Sequence, residues 1–239
     1  MRNSPKIAFV GDAWLKKISE VFSKLYGPDS AVYLSETGDD AGDCDLIVRT
    51  WAQEQAQADL FCPRFNIDGL ATIEMPGAGG NRTFLGADPL YDLIDTLPDM
   101  KLIVMAMQGG VDFNCLGRFE ASFAALEAQE AGAVPISDFL RAEYQTQPIL
   151  TGCKKPAPIV TIEMARRIAA RLSLDPVAFD AVDHYLQGEL ATKASRRCMM
   201  PYDVQKLGLT YDADPFWFPT FGALFKDLAS DFRKKQKAT

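Results

Sequence analysis

The segment Lys6-Ile7-Ala8-Phe9-Val10-Gly11-Asp12-Ala13-Trp14, running on into Leu15-Lys16-Lys17-Ile18-Ser19-Glu20-Val21-Phe22, decides how the rest of the chain is read. A short run of bulky apolar residues ends at a Gly-Asp turn, and a helical pattern starts at once. Leu15, Ile18, Phe22 and Leu25 recur at i, i+3, i+7 and i+10, one face of an amphipathic helix. Val21 widens that stripe, while Lys16, Lys17, Glu20 and Lys24 point away from it. Asp12 has the side chain of an N-cap, because its carboxylate accepts from a backbone N–H that the helix itself leaves unpaired. A buried strand over Ile7–Val10 that feeds a helix over 14–26 through so short a turn is the usual entry to an open α/β sheet. Ligands of such sheets gather where strands end and helix N-termini point, so this bend is the first candidate site.

Downstream, Ala31–Leu34 and Asp45-Leu46-Ile47-Val48-Arg49-Thr50 read as further strands, the second with the β-branched centre of a buried parallel strand. Residues 52–60 read as a short helix and Ala71–Met75 as a fourth strand. Lys101–Met107 is apolar throughout and ends at Gln108-Gly109-Gly110; periodicity leaves it open between a central strand and a short buried helix. Beyond residue 115 the texture is helical. Phe119, Phe123 and Leu126 mark a helix over Leu116–Ala131; Ile136, Phe139, Leu140 and Tyr144 mark one side of the next. Pro148–Gly152 reads as extended, and Ile159, Ile162, Ala165, Ile168, Ala169 and Leu172 stripe a helix over 158–172. Two more helices are read over 176–191 and 217–234. The expectation is an α/β protein: an open, mostly parallel sheet of the Rossmann or SGNH-like kind in residues 1–115, with a mainly helical part, 116–239, packed on it as one continuous domain.

With 239 residues, 48% of them hydrophobic, the chain can bury a sizeable core. A net charge of −7 argues against a duplex nucleic-acid binder, which needs a basic face for phosphates. Local basic patches at Lys154-Lys155, Arg196-Arg197 and Arg233-Lys234-Lys235 keep a small polyanionic ligand in play. The five cysteines (Cys44, Cys62, Cys115, Cys153 and Cys198) include no CxxC pair. A zinc knuckle or disulfide framework is therefore not expected, and neither is a bound metal. No signal-peptide order and no apolar run of about 18 residues is visible. A soluble, cytoplasmic protein is the expectation; the sequence leaves its oligomeric state open.

The candidate chemistry sits at a few places. In Gly-Asp-Ser esterases the residue after Asp is the nucleophile; here it is Ala13, which has no hydroxyl to activate. The single histidine, His184, lies far along the chain near Asp180 and Asp183, and a solvent-facing or capping role suits it better than a triad. Gly77-Ala78-Gly79-Gly80-Asn81-Arg82 offers successive N–H groups and, in Arg82, a cation for a phosphate. It lacks the Gly-Lys-Ser/Thr of a Walker loop and reads more simply as a surface loop than as a ligand clamp. Gly152-Cys153-Lys154-Lys155-Pro156 places two ammonium groups just before the N-terminus of the strong helix, a place for an anion or simply a solvated pair. Cys153 reads more simply as a small core residue than as a nucleophile. Arg49-Thr50-Trp51 lies at the carboxyl end of a predicted parallel strand. With Trp14, Trp51 gives two indoles that stack either on a ligand ring or in the core.

The order of these pieces resembles the WcbI-like polysaccharide-biosynthesis proteins, acetyltransferases of capsule assembly that bind coenzyme A. In that family a first strand leads through a Gly-Asn-Cys-Gln turn into a helix, the place held here by Gly11-Asp12-Ala13-Trp14. An Asp-led apolar strand follows, as in Asp45-Leu46-Ile47-Val48. Glu127, Ile136-Ser137-Asp138-Phe139-Leu140, Pro148-Ile149-Leu150-Thr151 and Lys154-Lys155-Pro156 then keep the family's order, and residues 156–174 match its closing helix. The resemblance spans about residues 6–175. It departs where chemistry matters: Ala13 stands where the family has cysteine, and Lys155 where it has histidine.

The resemblance implies an acyltransferase of surface-polysaccharide biosynthesis with an acyl-CoA (acetyl-CoA) donor and a small-molecule or saccharide acceptor. On that reading Lys154 and Lys155 hold the donor's phosphates. Gly11, Ala13, Trp14, Arg49, Thr50, Asn81 and Arg82 line the acceptor pocket, and Asp12 is the one titratable residue at the turn able to serve as general base. The alternatives are a catalytically silent WcbI-like binding or scaffold protein, to which Ala13 and Lys155 point, and a Gly-Asp-type esterase with a displaced serine.

Overall fold

The computed structural model describes residues 5–35, 41–51, 58–70, 73–75, 83–84, 88–94, 96–152, 155–174, 179, 196–198, 201–211, 222–223, 225–227, 229–230 and 233. Up to residue 94 the elements are β1 (Ile7–Gly11), α1 (Ala13–Tyr26), β2 (Ala31–Ser35), β3 (Leu46–Thr50), β4 (Leu60–Cys62), β5 (Ile73–Met75), β6 (Thr83–Phe84) and α2 (Asp88–Ile94). Then come α3 (Asp99–Met107), α4 (Cys115–Glu130), α5 (Ser137–Glu143), β7 (Leu150–Gly152), β8 (Lys155–Pro156), α6 (Pro158–Arg171), β9 (Arg196–Cys198) and α7 (Pro201–Leu207). The chain divides into two compact units. One is Met1–Asn66, Phe123–Glu143 and Lys154–Thr192; the other is Ile67–Ser122, Tyr144–Cys153 and Lys193–Thr239.

In the first unit every residue of β1 is buried, as its unbroken apolar run requires of a strand covered on both faces. It pairs in parallel with β2 on one side, Ile7 opposite Ala31 through Gly11 opposite Ser35. On the other side it pairs with β3, Ile7 opposite Leu46 through Val10 opposite Arg49. β4 adds in parallel to β3, with Thr50 opposite Cys62, so the order is β2-β1-β3-β4. The chain thus leaves β1 for one flank and returns for β3 on the other. That reversal makes the carboxyl ends of β1 and β3 a switch point, the place where open α/β sheets bind ligands.

α1 buries Trp14, Leu15, Ile18, Ser19, Val21 and Phe22 and leaves Lys16 and Lys24 exposed, which matches the predicted stripe except that Leu25 is only half-buried. The helix stops at Gly27, whose φ of +107° suits glycine, and the Ser30 hydroxyl donates to the carbonyls of Phe22 and Gly27. Phe22 packs against Phe9 and, edge-on, against Phe179. α6 lies against α1, burying Val160, Thr161, Ile162, Met164, Ala165, Ile168 and Ala169. α5 is capped from a distance: Glu130 Oε1 accepts from the N–H groups of Ile136 and Ser137, both at 2.7 Å, and its Oε2 from the Ser137 hydroxyl at 2.5 Å.

The second unit is built differently. β5 runs antiparallel between β6 and β9, Ile73 facing Phe84 on one side and Cys198 on the other. α3 settles the open reading of Lys101–Met107 as a helix. Leu102, Ile103 and Ala106 are buried while Lys101 and Val104 are exposed, a spacing that only a helix turns to one side. Arg118 bonds Asp68, Lys206 bonds Asp112 and Arg233 bonds Asp99, each at 2.7 Å.

The helix expected over 52–60 is corrected at its end. Residues 52–57 lie outside the described residues, but Asp59 exchanges bonds with Ile47 through both its N–H and its carboxylate, and Leu60 begins β4. The expected strand at 71–75 is present as β5 from Ile73, in the antiparallel sheet rather than the parallel one. Of the helices read over 176–191 and 217–234, the described residues are 179, 222–223, 225–227, 229–230 and 233, all helical. Cys44, Cys62 and Cys115 stand outside any disulfide. Among the described residues no helix is long and apolar enough to cross a membrane.

Candidate functional site

The strand-to-helix bend at Gly11–Asp12 lies at the carboxyl end of β1, at the switch point of the strand order. Gly11 has φ +152°, and a Cβ there would overlap Thr50 Oγ1, so the bend needs glycine for conformation and for space. Asp12 is the N-cap of α1: its Oδ1 accepts from the N–H of Trp14 at 3.0 Å and of Leu15 at 3.2 Å. Its own N–H donates to Thr50 Oγ1 at 3.3 Å, and the Gly11 carbonyl accepts from Tyr33 Oη at 2.8 Å. Ala13, the first residue of α1, is exposed. The bend therefore turns an open position to solvent but places no hydroxyl or thiol there.

Thr50 is buried at the end of β3. Arg49, one residue earlier, is sent by strand alternation to the other face of the sheet. Cys62, opposite Thr50 in β4, is fully buried, and that burial raises its thiol far above the ordinary cysteine range, with the charge of Asp12 adding to the effect. Such a thiol is protonated and inert at neutral pH.

Both indoles have protein neighbours. Trp14 is 5% exposed, its Nε1 donates to Thr161 Oγ1 at 3.2 Å, and its ring meets Phe65 edge-on. Trp51 meets Phe61 edge-on and overlies Gly132, where a Cβ would strike the indole. The Trp14–Thr161 bond joins the first turn of α1 to the first turn of α6, so the two helix N-termini are neighbours.

At α6 the N-cap is Ala157, which has no side chain to accept from the first amides, and Pro158 occupies the first turn. Lys155, two residues before the cap, is exposed. Pro158 has no N–H and the Val160 N–H bonds the Ala157 carbonyl at 3.0 Å, so what α6 offers an anionic group such as a phosphate is its dipole, with the Lys155 ammonium before it. Asn81, Arg82, the rest of the Gly77–Arg82 loop, Cys153, Lys154 and His184 lie outside the described residues. Among the described residues no cluster of His, Cys, Asp and Glu gathers that could hold a metal ion.

Two residues of this region escaped the sequence reading, Tyr33 and Thr161. Their partners are 22 and 147 positions away, so no local pattern marks them.

No protein-family model matches the sequence, and no curated protein does. Among solved structures the chain is similar to WcbI, described as a novel polysaccharide biosynthesis enzyme and solved as native protein without a disulfide bond between coenzyme A and one of its cysteines. The two superpose with a TM-score of 0.52 at 10% identity, over 74% of this chain and 72% of that one. The protein thus falls in the class of α/β proteins with a parallel sheet. Within that class its fold is WcbI-like, a likeness of architecture carried at low identity.

Proposed function

We propose that the protein is an acyltransferase of surface-polysaccharide biosynthesis that draws its acyl group from an acyl-CoA thioester. The observation that carries this reading is the position of the Gly11–Asp12 bend at the β1/β3 switch point of the strand order, in a chain with the fold of WcbI. In this proposal Lys154 and Lys155 hold the donor's phosphates beside the N-terminus of α6. Gly11 and the exposed Ala13 face the acceptor at the bend.

The thioester supplies an activated carbonyl. With no nucleophile at Ala13, transfer is direct: the acceptor hydroxyl oxygen bonds the acyl carbon, the carbon–sulfur bond breaks, and the thiolate leaves. The hydroxyl proton passes to the Asp12 carboxylate and from there to the departing sulfur. Calorimetric titration with coenzyme A is the test, with saturable heat expected. No heat at millimolar ligand removes the donor. Asp12→Asn is expected to lower transfer to a sugar acceptor by about 100-fold, the usual range for losing a general base.

A second reading has its own support. Ala13 offers no nucleophile, and Asp12 spends Oδ1 on capping α1. A protein that binds coenzyme A without turnover fits both facts. It predicts normal binding, no acyl transfer to any acceptor, and no change of affinity in Asp12→Asn.

A further inference from the structure

The peptide group joining Gly11 to Asp12 is held at both ends by side chains from the strands that flank β1. Tyr33, on β2, donates its hydroxyl to the carbonyl end; Thr50, on β3, accepts from the N–H end. Neither contact belongs to the sheet ladder. Pairing of β1 with β3 stops at Val10 opposite Arg49, so the Asp12 N–H lies one step beyond the last backbone partner and a side-chain oxygen takes over. Tyr33 sits opposite Phe9, two residues short of Gly11, and spans a strand repeat of about 7 Å with its ring.

A peptide that follows glycine is easily turned, since nothing on the Gly11 side chain resists counter-rotation of the two neighbouring dihedrals. Turning it would swing the Asp12 N–H away from Thr50 and the Gly11 carbonyl away from Tyr33, and would change the φ at which Asp12 begins α1. We infer that Tyr33 and Thr50 are a positioning pair that clamps the Gly11–Asp12 peptide, and through it sets the Asp12 carboxylate for the ligand at this edge. The pair acts through the backbone of the bend, without touching ligand. As to that ligand, the inference rests on the proposed function.

Three variants test it: Thr50→Val, Thr50→Ser and Tyr33→Phe. Amide hydrogen exchange at Asp12 is followed by NMR, with the amides of Phe9 and Ile18 as references, acyl transfer from acetyl-CoA to a sugar acceptor by assay, and coenzyme A affinity by calorimetry. Thr50→Val is expected to speed exchange at Asp12 about ten-fold, the protection of one hydrogen bond, while Phe9 and Ile18 stay unchanged. Tyr33→Phe is expected to act in the same direction. Acyl transfer to a sugar acceptor should fall several-fold in both while coenzyme A affinity holds, and Thr50→Ser, which keeps the oxygen, should restore exchange and transfer together. The clamp is overturned if Asp12 exchange is unchanged in Thr50→Val and Tyr33→Phe, if Phe9 and Ile18 quicken equally, or if Thr50→Ser behaves like Thr50→Val. A wild-type chain that binds no coenzyme A overturns the proposed function instead, and the exchange pattern still decides the clamp.

Discussion

α1 and α6 lie side by side and begin at neighbouring points, yet their first turns are finished in opposite ways. α1 brings its own anion, the Asp12 carboxylate, to the amides of Trp14 and Leu15. α6 begins at Ala157 with no side-chain acceptor, and the nearest charge before it is the ammonium of Lys155. A helix N-terminus attracts negative charge through its unpaired N–H groups and its dipole. Where the chain supplies the anion itself, an external one finds little left to bind; where it supplies no side-chain acceptor, the helix dipole still favours one. The contrast divides the proposed work, with acceptor chemistry at the bend before α1 and donor phosphates at the start of α6.

The largest way to break this contrast is to remove the bend. Gly11→Ala forces a Cβ into Thr50 at a φ that L-residues avoid, and a loss of about 2–4 kcal/mol in urea unfolding is expected. Cutting the link between the two helix starts comes next. Thr161→Val keeps the shape but takes the acceptor from the buried Trp14 indole, for about 1–3 kcal/mol and an altered tryptophan emission.

Lys155→Glu reverses the charge at the open end. Coenzyme A binding should weaken about ten-fold, which is about 1.4 kcal/mol, while the unfolding midpoint stays put because the residue is exposed. Asp12→Ala makes the two helix starts alike by uncapping α1, at about 1 kcal/mol of stability.

The smallest effect concerns the ion pair of α6 with α5. The Arg167 guanidinium, bonded to Asp138 at 2.5 Å, holds that carboxyl below its ordinary value. A depressed carboxyl stabilises the fold at pH values above its unfolded pKa of about 4, and the contribution fades as pH falls through the folded value. Asp138 is mostly exposed, so screening limits the gain to about 0.5 kcal/mol. Asp138→Asn should therefore lower the urea midpoint slightly at pH 7, and by progressively less as pH falls below the unfolded value of about 4.

How far these features could be read in advance depended on distance along the chain. The α1 stripe, its Asp12 cap and the buried face of α6 were legible because a helix sets its neighbours within four residues. β4 was not: three residues, Leu60–Cys62, show no alternation, and it is the bond of Asp59 to Ile47 that brings them to the sheet. Lys101–Met107 stayed ambiguous because an apolar run carries no period; the exposure of Lys101 and Val104, visible only once folded, supplies one. At the candidate site, Gly11, Asp12 and Thr50 stood out from the strand-end pattern, whereas Tyr33 and Thr161 did not.

The sequence alone determined the opening strand, the capped helix after it, and the class of sheet they enter. Those follow from side-chain period and backbone capping, which act between residues a few positions apart. Only the tertiary structure decided which side chains reach the bend: Tyr33 from one flank, Thr50 from the other, and Thr161 tying Trp14 to the start of α6. Such contacts are set by which strands become neighbours and how α1 lies on α6, and burial across the whole unit, rather than any local pattern, chooses that arrangement.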